Sequence, residues 1–159
     1  MGATPAVDAL ERAGIAHEVH EYRLDGDEPG TYGEAVAASL GVAPDRLFKT
    51  LVALVDGAPT VAIVPVDGSL DTKALARAAG GKRAGLAPPD DAERLTGYVV
   101  GGVSPLGQRR RLPCYLDVAA DQHDTVFVSA GRRGLQVELA PGALVTLTGA
   151  SVAPIADRG

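Results

Sequence analysis

At 159 residues, 46% hydrophobic and 22% charged, the chain has the make-up of one compact domain, 1–159, long enough to hold a core without staples. Its single cysteine, Cys114, excludes an internal disulfide framework and a cysteine-based zinc site, and a net charge of -5 argues against a general polyanion binder. No apolar run approaches the ~20 residues that span a bilayer, and the opening residues carry no basic-then-apolar leader, so composition predicts a cytoplasmic protein with no membrane partner.

The chain opens on a helix, with Thr4 as N-cap, Pro5 at the first helical position and Gly14 as the left-handed exit. Residues 15–22 alternate as a strand, placing Ile15, His17 and Val19 on one face and His20 and Tyr22 on the other. Asp25 to Gly30 is a surface loop. Thr31 and Glu34 then form a capping box ahead of a helix, Ala35 to Leu40, that ends at Gly41. Phe48 to Val55 and Thr60 to Val66 read as a buried hairpin of open register. A helix follows from Ser69 or Asp71 to Gly80-Gly81, then a short one from Pro88 that Gly97 closes.

Tyr98 to Val100 reads as a short strand entering a glycine-rich turn, Gly101 to Gly107. Strands are predicted at about 114–118, 125–129 and 135–139, with Gly131 to Gly134 as a turn, then a helix over Pro141 to Leu147 and a strand over Ala150 to Ile155. Strands outnumber helices and neighbours are hairpin-linked. The expected fold is therefore α+β: a curved, mostly antiparallel, barrel-like sheet flanked by helices.

Several constellations bear on chemistry. Gly102 and Gly107 have P-loop spacing, but Gln108 and Arg109 follow where Lys and Ser/Thr belong. Gly102, Ser104 and Gly107 are one residue too long for a nucleophile elbow. The turn's small residues would still let another molecule approach its backbone N–H groups. Lys49 stands inside an apolar strand, where a cation must snorkel to solvent or face a pocket. Tyr22 and Tyr32 belong to a scarce aromatic set. His17 and His20 point to opposite faces and His123 sits in a polar turn, so no metal site and no cofactor are expected. Cys114 reads as a small buried apolar residue. Lys82-Arg83, Arg109-Arg110-Arg111 and Arg132-Arg133 are exposed turns taken singly, and together would suit a short stretch of nucleic-acid backbone, an end or a loop.

Phe48-Lys49-Thr50-Leu51, Thr96-Gly97-Tyr98, the run from Gly101 to Gln108, Arg111-Leu112-Pro113 and Gly131 to Leu135 together carry a family resemblance. With Thr4 to Val7 at the start, the chain resembles the YbaK-type aminoacyl-tRNA deacylases end to end. These are relatives of the editing domain inserted in some prolyl-tRNA synthetases. The resemblance implies a substrate-contacting, catalytic lysine at Lys49 and a pocket tyrosine at Tyr22, with Tyr32 as the second aromatic. It also implies that Gly101, Gly102, Ser104, Gly131 and Gln136 contact the aminoacyl group; from their clustering, Arg109, Arg110, Arg111, Arg132 and Arg133 are expected to face the tRNA. Some cysteine-specific members carry Asp where this chain has Gln136, a departure that bears on which amino acid is accepted.

The implied reaction is removal of mischarged cysteine from tRNA(Pro), or from tRNA(Cys), in trans. The partners are the aminoacyl-tRNA 3′ end and prolyl-tRNA synthetase. No Ser/His/Asp or Cys/His set is visible, which fits attack by the substrate's own thiol. Lys49 would hold the terminal phosphate or ribose, or stabilise charge as the ester opens. The alternatives are water-based deacylation of alanyl-tRNA(Pro) and a non-catalytic tRNA- or synthetase-binding module.

Overall fold

The computed structural model describes residues 4–159. Helix α1 (Pro5–Ala13) starts at Thr4, whose hydroxyl accepts from the Val7 N–H, and ends at Gly14. Helix α2 (Tyr32–Leu40) begins on a complete capping box: the Glu34 N–H donates to Thr31 Oγ1, and Glu34 accepts from the Thr31 N–H. Strands β2 (Phe48–Val55) and β3 (Ala58–Pro65) form the expected hairpin, which extends from Val55–Ala58 to Phe48–Pro65. Its turn is two residues long, Asp56 at φ 48° and Gly57 at φ 83°, and both left-handed conformations match the twist of the strands.

Downstream lie β4 (Ser69–Leu70), α3 (Thr72–Ala78, capped by Asp71), β5 (Ala84–Leu86) and α4 (Pro89–Thr96, ending at Gly97). After the glycine turn come β6 (Cys114–Asp117), β7 (Val126–Arg132), β8 (Leu135–Leu139), α5 (Pro141–Thr148), β9 (Ser151–Ala153) and β10 (Ala156–Asp157). Strand β1 (Glu18–Glu21) is shorter than the alternation suggested.

The α+β class stands, but the strands do not make one closed sheet. A five-stranded sheet runs β5-β2-β3-β6-β9, a three-stranded antiparallel sheet runs β1-β8-β7, and β10 pairs with β4. Pairings β3–β6 and β6–β9 are parallel. Among the described residues an isolated bridge, Leu47 to Phe127, links the two larger sheets. The main core fills the space between them with Leu10, Ile63, Leu106, Leu116, Leu135 and Leu139, among others.

One expected strand is absent. Tyr98 to Val100 is turn and coil, because Tyr98 is buried with its hydroxyl donating to the Leu106 carbonyl at 2.6 Å, while Val99 and Val100 point outward. The Gly102 N–H donates back to the Val99 carbonyl, so the segment folds on itself instead of pairing.

Candidate active site

The two sheets diverge around a cavity of about 300 Å³. Its walls come from distant parts of the chain: the start of α2, residues 47–52 leading into and along β2, the end of β5, the glycine turn, and Ser129 and Gln136 from the β7–β8 hairpin. Pairing of β1 with β8 sets Tyr22 beside that hairpin, its N–H donating to the Gly134 carbonyl. The lining is mostly apolar, so the few polar atoms in it stand out.

Lys49 is half-buried in this wall and, among the described residues, forms no ion pair. Its charge reaches the start of α2. The Glu34 carboxyl lies below the usual range, chiefly through the Thr31 N–H of the capping box and in small part through Lys49. Tyr32 also lines the cavity and shares a 2.9 Å hydroxyl–hydroxyl bond with Tyr22. Burial, then that bond, pushes the Tyr32 phenol upward, so it stays protonated at neutral pH.

Two buried wall atoms have no hydrogen-bond partner among the described residues: Thr50 Oγ1 and Gln136 Oε1. An unpartnered buried polar atom costs about 1–3 kcal/mol. The protein tolerates two of them on residues of one cavity wall.

Of the glycine-turn residues, Gly101 lies on the cavity wall, whereas Gly102 and Ser104 are buried behind it. A Cβ on Gly102 would sit 2.8 Å from Arg132 Cα, so this glycine lets the turn pack on the hairpin backbone. Ser104 is fully buried, with its hydroxyl accepting from the Leu106 N–H and its carbonyl from Gln108 Nε2. It does not line the cavity. Gly131 packs under Tyr98 and donates its N–H to Ser129 Oγ. Gly102, Ser104 and Gly131 therefore lie outside the set of residues that line the cavity.

The sequence profile of the aminoacyl-tRNA editing domain matches residues 28–147, a span holding every wall segment of the cavity. The chain belongs to the aminoacyl-tRNA editing-domain family. It is 42% identical over 156 residues to EbsC of Enterococcus faecalis, a candidate Cys-tRNA(Pro)/Cys-tRNA(Cys) deacylase, covering 98% of this chain and 94% of that one. It is 30% identical over 122 residues to the multifunctional Ser/Thr-tRNA deacylase ProXp-y of Escherichia coli K12, covering 74% and 73%. A crystal structure described as a candidate trans-editing enzyme for prolyl-tRNA synthetase superposes with TM-score 0.83 at 28% identity, covering 98% and 97%.

The basic runs of this editing domain do not form one patch. Arg133 lies over the Tyr32 ring, 5.8 Å from its centre, and its Nε donates to the Val100 carbonyl at 3.2 Å, which puts it at the cavity mouth. Arg132 turns to the Arg133 carbonyl. Arg110 and Arg111 instead line a separate depression of about 240 Å³, with Arg111 donating to the Leu147 carbonyl. Arg109 packs beside Gly97, its N–H donating to the Thr96 carbonyl.

Cys114 borders that second depression, where burial pushes its thiol up to about 12. It is a neutral packing residue at pH 7. Thr50 belongs to the Phe48–Leu51 motif, whereas Ser129 carries no sequence signal, since an isolated hydroxyl in a strand means nothing until the opposite wall is known. A charged cluster also emerges outside the cavity. Glu138 takes bonds from His20 and Arg46, at 3.0 and 3.2 Å, and from the Thr125 hydroxyl. Glu18 approaches this group closely enough that Glu18, His20 and Glu138 bring possible ligand atoms within 4.8 Å, although Arg46 already occupies Glu138. No helix among the described residues is long and apolar enough to cross a membrane.

Proposed function

We propose that this editing domain works in trans as an aminoacyl-tRNA deacylase that releases cysteine from mischarged tRNA. The observation that carries the reading is what the cavity lacks: among the described residues, no histidine, carboxylate or thiol lines it. Thr50 and Ser129 present hydroxyls without a base, and Ser129 Oγ already accepts from Gly131. A chain with no nucleophile–base pair at its cavity suits a substrate that brings its own.

A cysteinyl thiol, with an ordinary pKa of about 8.5, is a few per cent ionised at neutral pH. Its sulfur attacks the carbonyl carbon of its own ester, the C–S bond forms, and the C–O bond to the ribose breaks. The thiol proton ends on the ribose oxygen. The products are free tRNA and a four-membered cyclic thioester, which water opens to cysteine. Holding sulfur and carbonyl in contact supplies several kcal/mol through proximity. The Lys49 ammonium offsets negative charge on the opening ester, and the Gly101 backbone orients the aminoacyl group. The similarity to EbsC supports cysteine as the amino acid.

A second reading rests on Gln136. Gln136 and Thr50 line the same cavity, each with an unpartnered oxygen that could take a substrate hydroxyl, and the similarity to ProXp-y points the same way. A deacylation panel of cysteinyl-, seryl-, threonyl-, alanyl- and prolyl-tRNA separates the two. Fast release of cysteine, lost when the substrate thiol is alkylated, is the expected result. Equal or faster release of serine or alanine would replace it with activated water.

A further inference from the structure

The lip of the cavity carries exposed aliphatic side chains that the core does not need. Leu86, at the end of β5, is 60% exposed, Val99 is 59% and Val100 is 45%, and Leu86 and Val100 belong to the cavity wall itself. These are not residues of a loose loop. The Val100 N–H donates to Glu93 Oε2 at 2.7 Å, its carbonyl accepts from Arg133, and the Gly102 N–H donates to the Val99 carbonyl. The backbone is tied on three sides while its β-branched side chains face outward. Leu86 is held similarly at the sheet edge, opposite Ala53 of β2.

Charge restricts what would cover such a lip. Arg133 and Lys49 border the same mouth, and among the described residues neither forms an ion pair. The present partners of Arg133 are an exposed aromatic ring and a carbonyl, both neutral, so its charge remains available to an anion. Exposed apolar contact area beside an available guanidinium suits a nucleotide: a base face makes apolar contact with the aliphatic groups, and a phosphate takes the arginine.

We propose that the Leu86–Val99–Val100 lip seats the base of the tRNA's 3′-terminal adenosine, with Arg133 holding its 5′ phosphate. This rests on the deacylase reading, in which the ester hangs from that nucleoside into the cavity. The lip binds the same nucleoside whichever amino acid is attached, and so contributes affinity without contributing amino-acid choice.

The probe is 5′-AMP, with adenosine as its phosphate-free control, followed through methyl resonances. Expected are shifts confined to Leu86, Val99, Val100 and their neighbours. Leu86→Ser combined with Val99→Ser should weaken AMP about fivefold, as partial burial of two aliphatic side chains requires. Arg133→Gln should weaken AMP by a similar factor but leave adenosine unchanged. In deacylation, the double variant should raise KM for aminoacyl-tRNA with kcat within about twofold. Both substitutions are at exposed positions, and circular dichroism checks the fold.

AMP shifts that avoid the lip, or a double variant that binds AMP like the parent, would overturn the proposal, even with full activity on cysteinyl-tRNA. Lip shifts in a protein inactive on the whole tRNA panel would sink the deacylase reading and leave the nucleotide seat standing.

Discussion

Lys49 is a cation held in an apolar wall and, among the described residues, forms no ion pair. Removing its head group leaves Cβ in place on a paired strand and opens little core. Lys49→Ala should therefore cost at least about 100-fold in kcat, while the melting temperature moves by no more than a few degrees. Near-parent turnover in a folded variant would make Lys49 structural. Cys114 carries the opposite expectation. Its thiol is held neutral by burial and borders a depression away from the cavity, so Cys114→Ser should deacylate at close to the parent rate. An inactive but folded Cys114→Ser would mean an enzyme nucleophile and remove the substrate-thiol mechanism.

At the scale of elements, the glycine turn is the part whose conformation the cavity depends on. Tyr98 anchors it by donating to the Leu106 carbonyl. Tyr98→Phe keeps the ring but orphans a buried carbonyl, and should destabilise by about 1–3 kcal/mol in urea unfolding. Gly102→Ala should be worse for function than for fold, because its Cβ drives the turn away from Arg132 and with it the wall at Gly101. A KM rise larger than the loss of stability accounts for is the expected signature, and an unchanged KM would separate the turn from substrate. The helix caps were legible in the sequence because each is local, with Thr31 and Glu34 three residues apart. The β2–β3 hairpin was legible as a pair but not in register, because Ala58 and Pro59 look like turn residues and instead pair with Val55 and Leu54. The family motif marked Lys49, Tyr32 and Gln136, which share one cavity. Local reading failed where tertiary bonds decide: Tyr98 to Val100 alternates like a strand but is folded back by the Tyr98 and Gly102 bonds. The full burial of Ser104 was likewise not legible, because it follows from how the whole turn packs, with the Pro5 carbonyl of α1 closely abutting Gly107. Ser129 becomes meaningful only when β2 and β7 are brought together.

Across the whole molecule, charge is distributed by task. Glu138 joins the three-stranded sheet to the Pro44–Arg46 turn, and its carboxyl is held below the usual range by the Thr125 hydroxyl first, then by His20 and Arg46. A depressed folded pKa gives stability that is complete above the ordinary carboxylate range and is lost as pH falls through the folded value. Glu138→Gln should accordingly lower the melting temperature at pH 7 by about 2–4 °C and flatten its decline below about pH 5. A variant that melts like the parent at pH 7 would show the cluster to be incidental. Arg109, Arg110 and Arg111 sit apart from the cavity mouth. Their joint replacement by Gln should reduce the salt slope of tRNA binding by about one unit for each arginine that meets a phosphate, with amino-acid preference unchanged. An unaltered slope would return them to solvated turns.

The pairing of β1 with β8 joins His20 to Glu138 across 118 residues, and β6 takes both of its neighbours in parallel. Long loops must close before either contact contributes, which places refolding among slow, millisecond-to-second topologies. The same separation sets an order of events on the ribosome. Until the β7–β8 hairpin has been synthesised, Tyr22 has no Gly134 carbonyl to dock on, Tyr32 has no Arg133 above it, and the cavity has only part of its wall. A chain made amid charged tRNA thus gains its pocket late in its own translation, when nearly all of its sheet partners already exist.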